Sequence, residues 1–278
     1  MQIIIMCKIN QVNDKNVKLS INYFYTQRTM LYIIGTGLND YRDISLRSIE
    51  ILKKCDKIYL EHYTCILNTD LEEIVGQKVI IANRKLVEET DLIVLEAKEK
   101  EVAFLVVGTP LFATTHIDIL ERAKSYGVST KVIHNVSIAS VKGCFGLYSY
   151  NFGRCVSICY FEENWKPLSF YDNILTNYKN GMHTLCLLDI KTDENRFMSG
   201  NEAINQLLYA EKEKEQNLFT LKTKLFVVCR FATDEEAVFY GTAEELLKKD
   251  FGKPLHSLII PGPLSIIEKE FIEKMFLN

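Results

Sequence analysis

Proline is scarce in this chain, tryptophan occurs once, neither sign of charge dominates, and long apolar runs and C-x-x-C pairs are missing. Each shortage closes off a class of function. Lysine and arginine total 33 against 36 aspartates and glutamates, a net charge of -3. No global basic field exists to hold RNA or DNA through its phosphates, so nucleic acid is not an expected partner. Apolar runs such as Val102–Val107 fall far short of the ~20 residues a membrane helix needs, so no membrane partner is expected either.

The eight cysteines are Cys7, Cys55, Cys65, Cys144, Cys155, Cys159, Cys186 and Cys229. Cys155 and Cys159 are four apart, but no second pair or nearby histidine completes a zinc site, so no metal is expected. Most thiols lie in apolar runs and read as small hydrophobes in a reducing, cytoplasmic compartment. None of His62, His116, His134, His183 and His256 has the i, i+4 spacing of a metalloprotease, and no G-x-S-x-G elbow appears. Each histidine adjoins a strand-like run and reads as a core or strand-end residue satisfied by backbone.

Hydrophobic residues make up 47% and charged residues 25%, the composition of a globular protein with one large domain or two compact ones. Residues 1–29 differ from the rest. Ile3–Met6 is too short for a signal h-region, and Asp14 with little arginine or serine argues against a presequence, so this stretch reads as an extension. The organised pattern begins at Met30.

From there strand-like and helix-like segments alternate. Leu31–Ile34 ends in Gly35-Thr36-Gly37, Asp43 precedes a helical stretch with Ile44, Leu46, Ile49, Ile51 and Leu52 on a broad apolar face, and Lys57–Leu60 returns as a strand. This predicts a βαβ unit. Val102–Val107 opens a second, with a loop at Gly108–Ala113, a helix capped by Thr114 or Thr115 and stopped at Gly127, and a strand at Lys131–His134. Later strands are expected at Val156–Tyr160, Thr184–Asp189, Leu225–Val228, Ala237–Tyr240 and Ser257–Ile260, and helices at Phe170–Tyr178, Ser199–Lys212 and Ala243–Lys249. The pattern predicts two α/β domains, residues 30–140 and 141–278, with the boundary near Ser140–Gly146.

Two loops stand where open α/β sheets place their ligands. Gly35-Thr36-Gly37-Leu38-Asn39-Asp40 follows a strand but lacks the third glycine of a dinucleotide turn, and a bare G-x-G is more often a plain turn. Gly108–His116 opens a helix whose first amides have no partner within it, though without the lysine of a nucleoside-triphosphate loop. Tyr160–Pro167 combines aromatics, the adjacent Glu162 and Glu163, and the lone tryptophan, which fits either a solvated loop or a contact edge.

Taken together, Met30–Leu38, Ala113-Thr114-Thr115-His116, Val132-Ile133-His134-Asn135, Asn180–Ile190 and Pro254–Ile260 resemble, in order, the blocks of the diphthine synthase family, a branch of the tetrapyrrole-methylase-like class. The resemblance covers Met30 to about Pro261. It implies two α/β domains with S-adenosyl-L-methionine in the cleft between them. It also implies a homodimer acting on elongation factor 2 during diphthamide biosynthesis. The substrate would be a histidine already carrying a 3-amino-3-carboxypropyl group, whose amine is methylated repeatedly; eukaryotic members also esterify the carboxylate. Such a transfer needs alignment and a dry cleft rather than a metal or triad, and no catalytic residue is assigned.

Position by position, the resemblance implies cofactor contacts at Leu38, Ser137, Ile138, Leu188, Phe231 and His256, with Thr109 and Phe112 in the loop after the second buried strand. Core packing is the plain alternative for Leu38, Leu188 and Phe231. Thr109 stands where the family usually has aspartate, Phe112 where a small residue is usual, and Phe231 where valine is common. Two rival readings follow: a catalytically weakened protein that binds elongation factor 2, or a methylase of the same fold acting on a tetrapyrrole or ribosomal RNA.

Overall fold

A computed structural model describes residues 29–63 and 71–277; the expectations for residues 1–28 and for Cys7 and Cys65 lie outside the described residues. The first sheet is parallel throughout, with strands β1 (Met30–Gly35), β2 (Lys57–Glu61), β3 (Val79–Ala82), β4 (Val102–Val106) and β5 (Ser129–Ile133) in the order β3-β2-β4-β1-β5. Helices α1 (Leu46–Leu52), α2 (Leu71–Val75), α3 (Arg84–Glu88), α4 (Leu92–Glu96) and α5 (Ile117–Ser125) connect them.

Both faces of this sheet are covered, as the unbroken apolar character of β4 requires. Ile33 and Phe104 pack with Val87, Ile93 and Ile119 on one face. Their neighbours Ile34 and Leu105 pack with Leu52, Leu71 and Val75 on the other.

The expected strand–helix–strand unit is present, with β1 and β2 parallel in one sheet and β4, buried at every position, between them. Two expectations are corrected here. Asp43 does not start α1. Ser45 caps that helix, accepting from the Ser48 N–H at 3.1 Å, while Asp43 ends a short 3-10 turn over Tyr41–Asp43. Neither Thr114 nor Thr115 caps α5, which begins at Ile117. Thr114 Oγ1 instead accepts from the His116 N–H at 3.3 Å, and the positive φ of Ala113 (54°) keeps helical geometry from starting earlier.

The second sheet is mixed. After β6 (Val156–Ile158), α6 (Ser169–Lys179) and β7 (Thr184–Leu188) come the small hairpin β8 (Ile190–Lys191) and β9 (Arg196–Phe197), then α7 (Gly200–Lys214). β10 (Lys224–Cys229), β11 (Ala237–Thr242), α8 (Ala243–Leu247), β12 (His256–Ile260) and α9 (Ile266–Phe276) complete the chain. The order is β11-β10-β12-β7-β6, with only the β6–β7 pair parallel. α7 begins in a capping box between Ser199 and Glu202, and Ala203, Ile204 and Leu207 enter the core with Ile174 and Leu246.

On the opposite face α9 docks through buried polar groups as well as Ile272. His183 Nδ1 accepts from the Gly262 N–H at 2.9 Å, so Nε2 carries the proton and donates to Glu268 Oε1 at 3.0 Å. Burial pulls the Glu268 carboxyl upward, but the N–H groups of Tyr148 and Ser265, with His183, outweigh it and hold it at about 2. The six described cysteines are free thiols, and Cys55, Cys186 and Cys229 are buried. No described helix is long and apolar enough to cross a membrane.

Candidate active site

The carboxyl ends of β1, β4 and β5 meet those of β6, β7 and β10, and the start of β12, around a cavity of about 590 Å³. On the first-sheet side two loops cross at their backbones. Gly37 N–H donates to Gly108 O at 3.3 Å, and Gly108 N–H donates to Gly37 O at 2.8 Å. A Cβ at position 35 would lie 2.4 Å from Gly108 O, and one at position 37, where φ is 84°, would lie 2.3 Å from the Asp43 Cβ. The glycines are therefore explained by this close crossing, without a phosphate cradle.

Two side chains fix the crossing. Asp43 Oδ2 accepts from the N–H groups of Leu38 (3.0 Å) and Asn39 (2.8 Å). Asn135 Nδ2 donates to Gly35 O (3.1 Å) and Asp43 O (2.9 Å), tying the end of β5 to the turn. Thr109 Oγ1 accepts from the Asn135 N–H at 3.2 Å and lies 3.4 Å from His134 Nδ1. The threonine thus performs a local structural task whatever the cavity holds.

Phe112 and Phe231 share an unusual setting. Leu111 (φ 70°) and Ala113 (φ 54°) flank the first, and Arg230 (φ 49°) and Ala232 (φ 61°) flank the second. Left-handed geometry at non-glycine residues is costly and tends to gather at binding sites. The Arg230 guanidinium holds its loop by donating from Nε and Nη1 to the carbonyls of Glu235, Phe251 and Lys253.

His256 is used on both nitrogens. Nδ1 accepts from the Gly200 N–H at 3.3 Å, and Nε2–H donates to Lys253 O at 3.0 Å. Burial lowers its pKa. Its ring edge and backbone remain to face the cavity.

All eight residues singled out from the sequence, Leu38, Thr109, Phe112, Ser137, Ile138, Leu188, Phe231 and His256, line this one cavity. Sequence reasoning passed over Asp43 and Asn135, which stand behind the lining, and Asp189 and Cys159, which are part of it. Asp189 is the next-to-last residue of the Asn180–Ile190 block, so its signal was present but carried no assigned role.

His183 and His256 are satisfied as expected, whereas His116 departs from that expectation. It precedes α5, is 2% exposed, and leaves Nδ1 without a partner. Its Nε2 lies 3.3 Å from the Tyr63 hydroxyl, and burial pushes its pKa down to about 4. Across the cavity rim, Arg42 donates to Asp234 at 2.7 Å. Thr192 Oγ1 donates to the His62 carbonyl at 3.3 Å, and both bonds join loops of the two sheets.

The cavity falls within the ~300–1,000 Å³ range of small-molecule sites. Leu38, Ile138, Leu188 and Phe231 give it apolar walls, with hydroxyls at Thr109 and Ser137.

Residues 30–247 match the family described as Tetrapyrrole (Corrin/Porphyrin) Methylases, and the chain belongs to that family. A diphthine methyl ester synthase from Dictyostelium discoideum is 43% identical over 265 residues, 88% of this chain and 97% of that protein. The Homo sapiens protein of the same name is 42% identical, covering 84% of this chain and 90% of its own length. A diphthine synthase from Methanococcus maripaludis is 41% identical over 90% of this chain and all of its own. The crystal structure of a diphthine synthase superposes with a TM-score of 0.80 at 30% identity, covering 89% of this chain and 96% of that one. Within its family the chain thus falls among the diphthine synthases, and it is a methyltransferase of diphthamide biosynthesis.

Proposed function

We propose that the cavity takes S-adenosyl-L-methionine and that the protein repeatedly methylates the amine of a 3-amino-3-carboxypropyl-modified histidine on elongation factor 2. One observation carries this reading: residues from six separate stretches of sequence, each selected as a cofactor contact, share a single cavity. The names of the relatives supply the pathway. In this reading residues 30–140 and 141–278 are the two domains around the cofactor, and the protein works as a cytoplasmic homodimer.

When bound, the cofactor supplies a methyl group already activated by the positive sulfur. The chain's own task is to align and to exclude water. Leu38, Ile138, Leu188 and Phe231 wall the cavity, and Phe112 lines it from the first-sheet side. Thr109 and Ser137 hold the loop ends in place through the Asn135 and Ala139 N–H groups.

Mass spectrometry of modified elongation factor 2 incubated with the protein and cofactor tests the reading. Successive methyl increments on the modified histidine are expected, and an unchanged histidine refutes it.

A further inference from the structure

Resting on the reading above, we propose that Asp189 is a catalytic residue whose carboxylate sits beside the substrate nitrogen and stabilises the positive charge it acquires. The contacts assigned to the cofactor lie on the first-sheet loops and on β7, β12 and β10 of the second sheet. Asp189 lies on the other side of Leu188, beside β6, the edge strand, where Cys159 also lines the cavity.

The geometry leaves this carboxylate available. Asp189 Oδ2 accepts from the Tyr160 N–H at 3.0 Å, which fixes the group, while Oδ1 has no partner among the described residues. The other acidic groups of the cavity are ion-paired. Arg230 is held by carbonyls, Lys253 pairs with Glu235, and Asp234 pairs with Arg42. Lys191, on the adjoining hairpin, is drawn to Glu162 and Glu194.

In each transfer the amine lone pair forms the C–N bond while the S–CH₃ bond breaks, and that bond's electron pair stays on sulfur, which becomes neutral. The positive charge passes to nitrogen. In the first two transfers a proton then leaves to solvent, and in the third the charge remains. A fixed carboxylate beside that nitrogen opposes the build-up of charge in every round, including the last, when the amine no longer has an N–H to offer.

The test compares Asp189→Asn, Asp189→Ala and Asp189→Glu with the wild type on modified elongation factor 2. Asparagine still accepts from the Tyr160 N–H, so the fold is expected to hold, and thermal melting checks this. The expected result for Asp189→Asn is a kcat lower by about ten- to a hundred-fold, consistent with loss of one charge-stabilising group. Calorimetric Kd for S-adenosyl-L-methionine should stay within threefold, and Asp189→Glu should recover part of the rate. An unchanged kcat overturns the proposal. So does a cofactor Kd that weakens in parallel with the rate, which would place Asp189 on the cofactor's own ammonium. An inactive wild type overturns both this proposal and the functional reading, whereas an active wild type matched by Asp189→Asn overturns this one alone.

Discussion

Replacing Asp43 with alanine should loosen one wall of the cavity without touching its lining. Asp43 Oδ2 accepts from two backbone donors, the N–H groups of Leu38 at 3.0 Å and Asn39 at 2.8 Å. Both residues line the cavity, and both are half-buried. Alanine keeps the Cβ against which Gly37 packs, so the crossing of the glycine loops is not filled or opened. What is lost is a charged acceptor. Hydrogen bonds to a charged group contribute roughly 1.5–3 kcal/mol each, and water recovers part of this at half-buried donors. A net loss of about 2–3 kcal/mol is expected, or about 4–12 °C in melting temperature.

Asp43→Asn separates geometry from charge. Its amide oxygen can accept from the same two donors, so the expected loss is only about 1 kcal/mol. Calorimetric titration with S-adenosyl-L-methionine should follow the same order: alanine weakens binding several-fold and asparagine restores most of it. Equal melting temperature and affinity in wild type and Asp43→Ala would refute the reasoning, because the carboxylate would then not hold the turn. Equal losses in both variants would mean that charge, not the two hydrogen bonds, is what matters.

Other predictions concern the buried polar groups and the departing loop. His116 is held at about 4 against an ordinary 6.5, so its neutral form contributes stability that is full above pH 6.5 and lost as pH falls toward 4. Urea unfolding of His116→Phe should show a flatter pH dependence over that window. Glu268→Ala strips acceptors from His183 and from the Tyr148 and Ser265 N–H groups and should cost about 3–5 kcal/mol, read by denaturant midpoint at pH 7. Thr109→Asp can keep the Asn135 N–H bond and offer a second oxygen to the cavity. Alone or with Phe112→Gly it should tighten cofactor binding about ten- to a hundred-fold by calorimetry. His256→Ala unpairs Gly200 N–H and Lys253 O, so a lowered melting temperature is expected with weaker cofactor binding. A lowered melting temperature alone would make the histidine purely structural.

The elements readable from sequence were those with their own local signals. β4 announces itself by an unbroken apolar run, and α7 by Ser199, Glu202 and the stripe of Ala203, Ile204 and Leu207. The order β2-β4-β1 carries no such signal, because strand neighbours are chosen by burial competition across the whole sheet. Asp43 and Thr114 looked like helix starts because short polar side chains satisfy loops and caps by the same chemistry. What decides between the two is backbone geometry set at a distance. Ala113 is left-handed in one case, and in the other the Asp43 carboxylate accepts from the Leu38 and Asn39 amides of the preceding turn.

The cavity poses a sharper version of the same difficulty. Its lining is mainly aliphatic, aromatic and hydroxylic, and these residue types alone are indistinguishable from core. Leu38, Leu188 and Phe231 could be chosen only through resemblance, because an in-line transfer from an activated methyl group asks for shape and dryness rather than for a titrating cluster. Asp189 escaped notice for the opposite reason. A single aspartate at a strand end is ordinary in sequence, and it becomes unusual only when one oxygen is fixed by the Tyr160 N–H and the other is left open in a cavity whose other acids are paired. Local pattern finds the strands and helices, resemblance finds the walls, and the one acid of the cavity without an ionic partner among the described residues emerges only after every donor and acceptor around it has been accounted for.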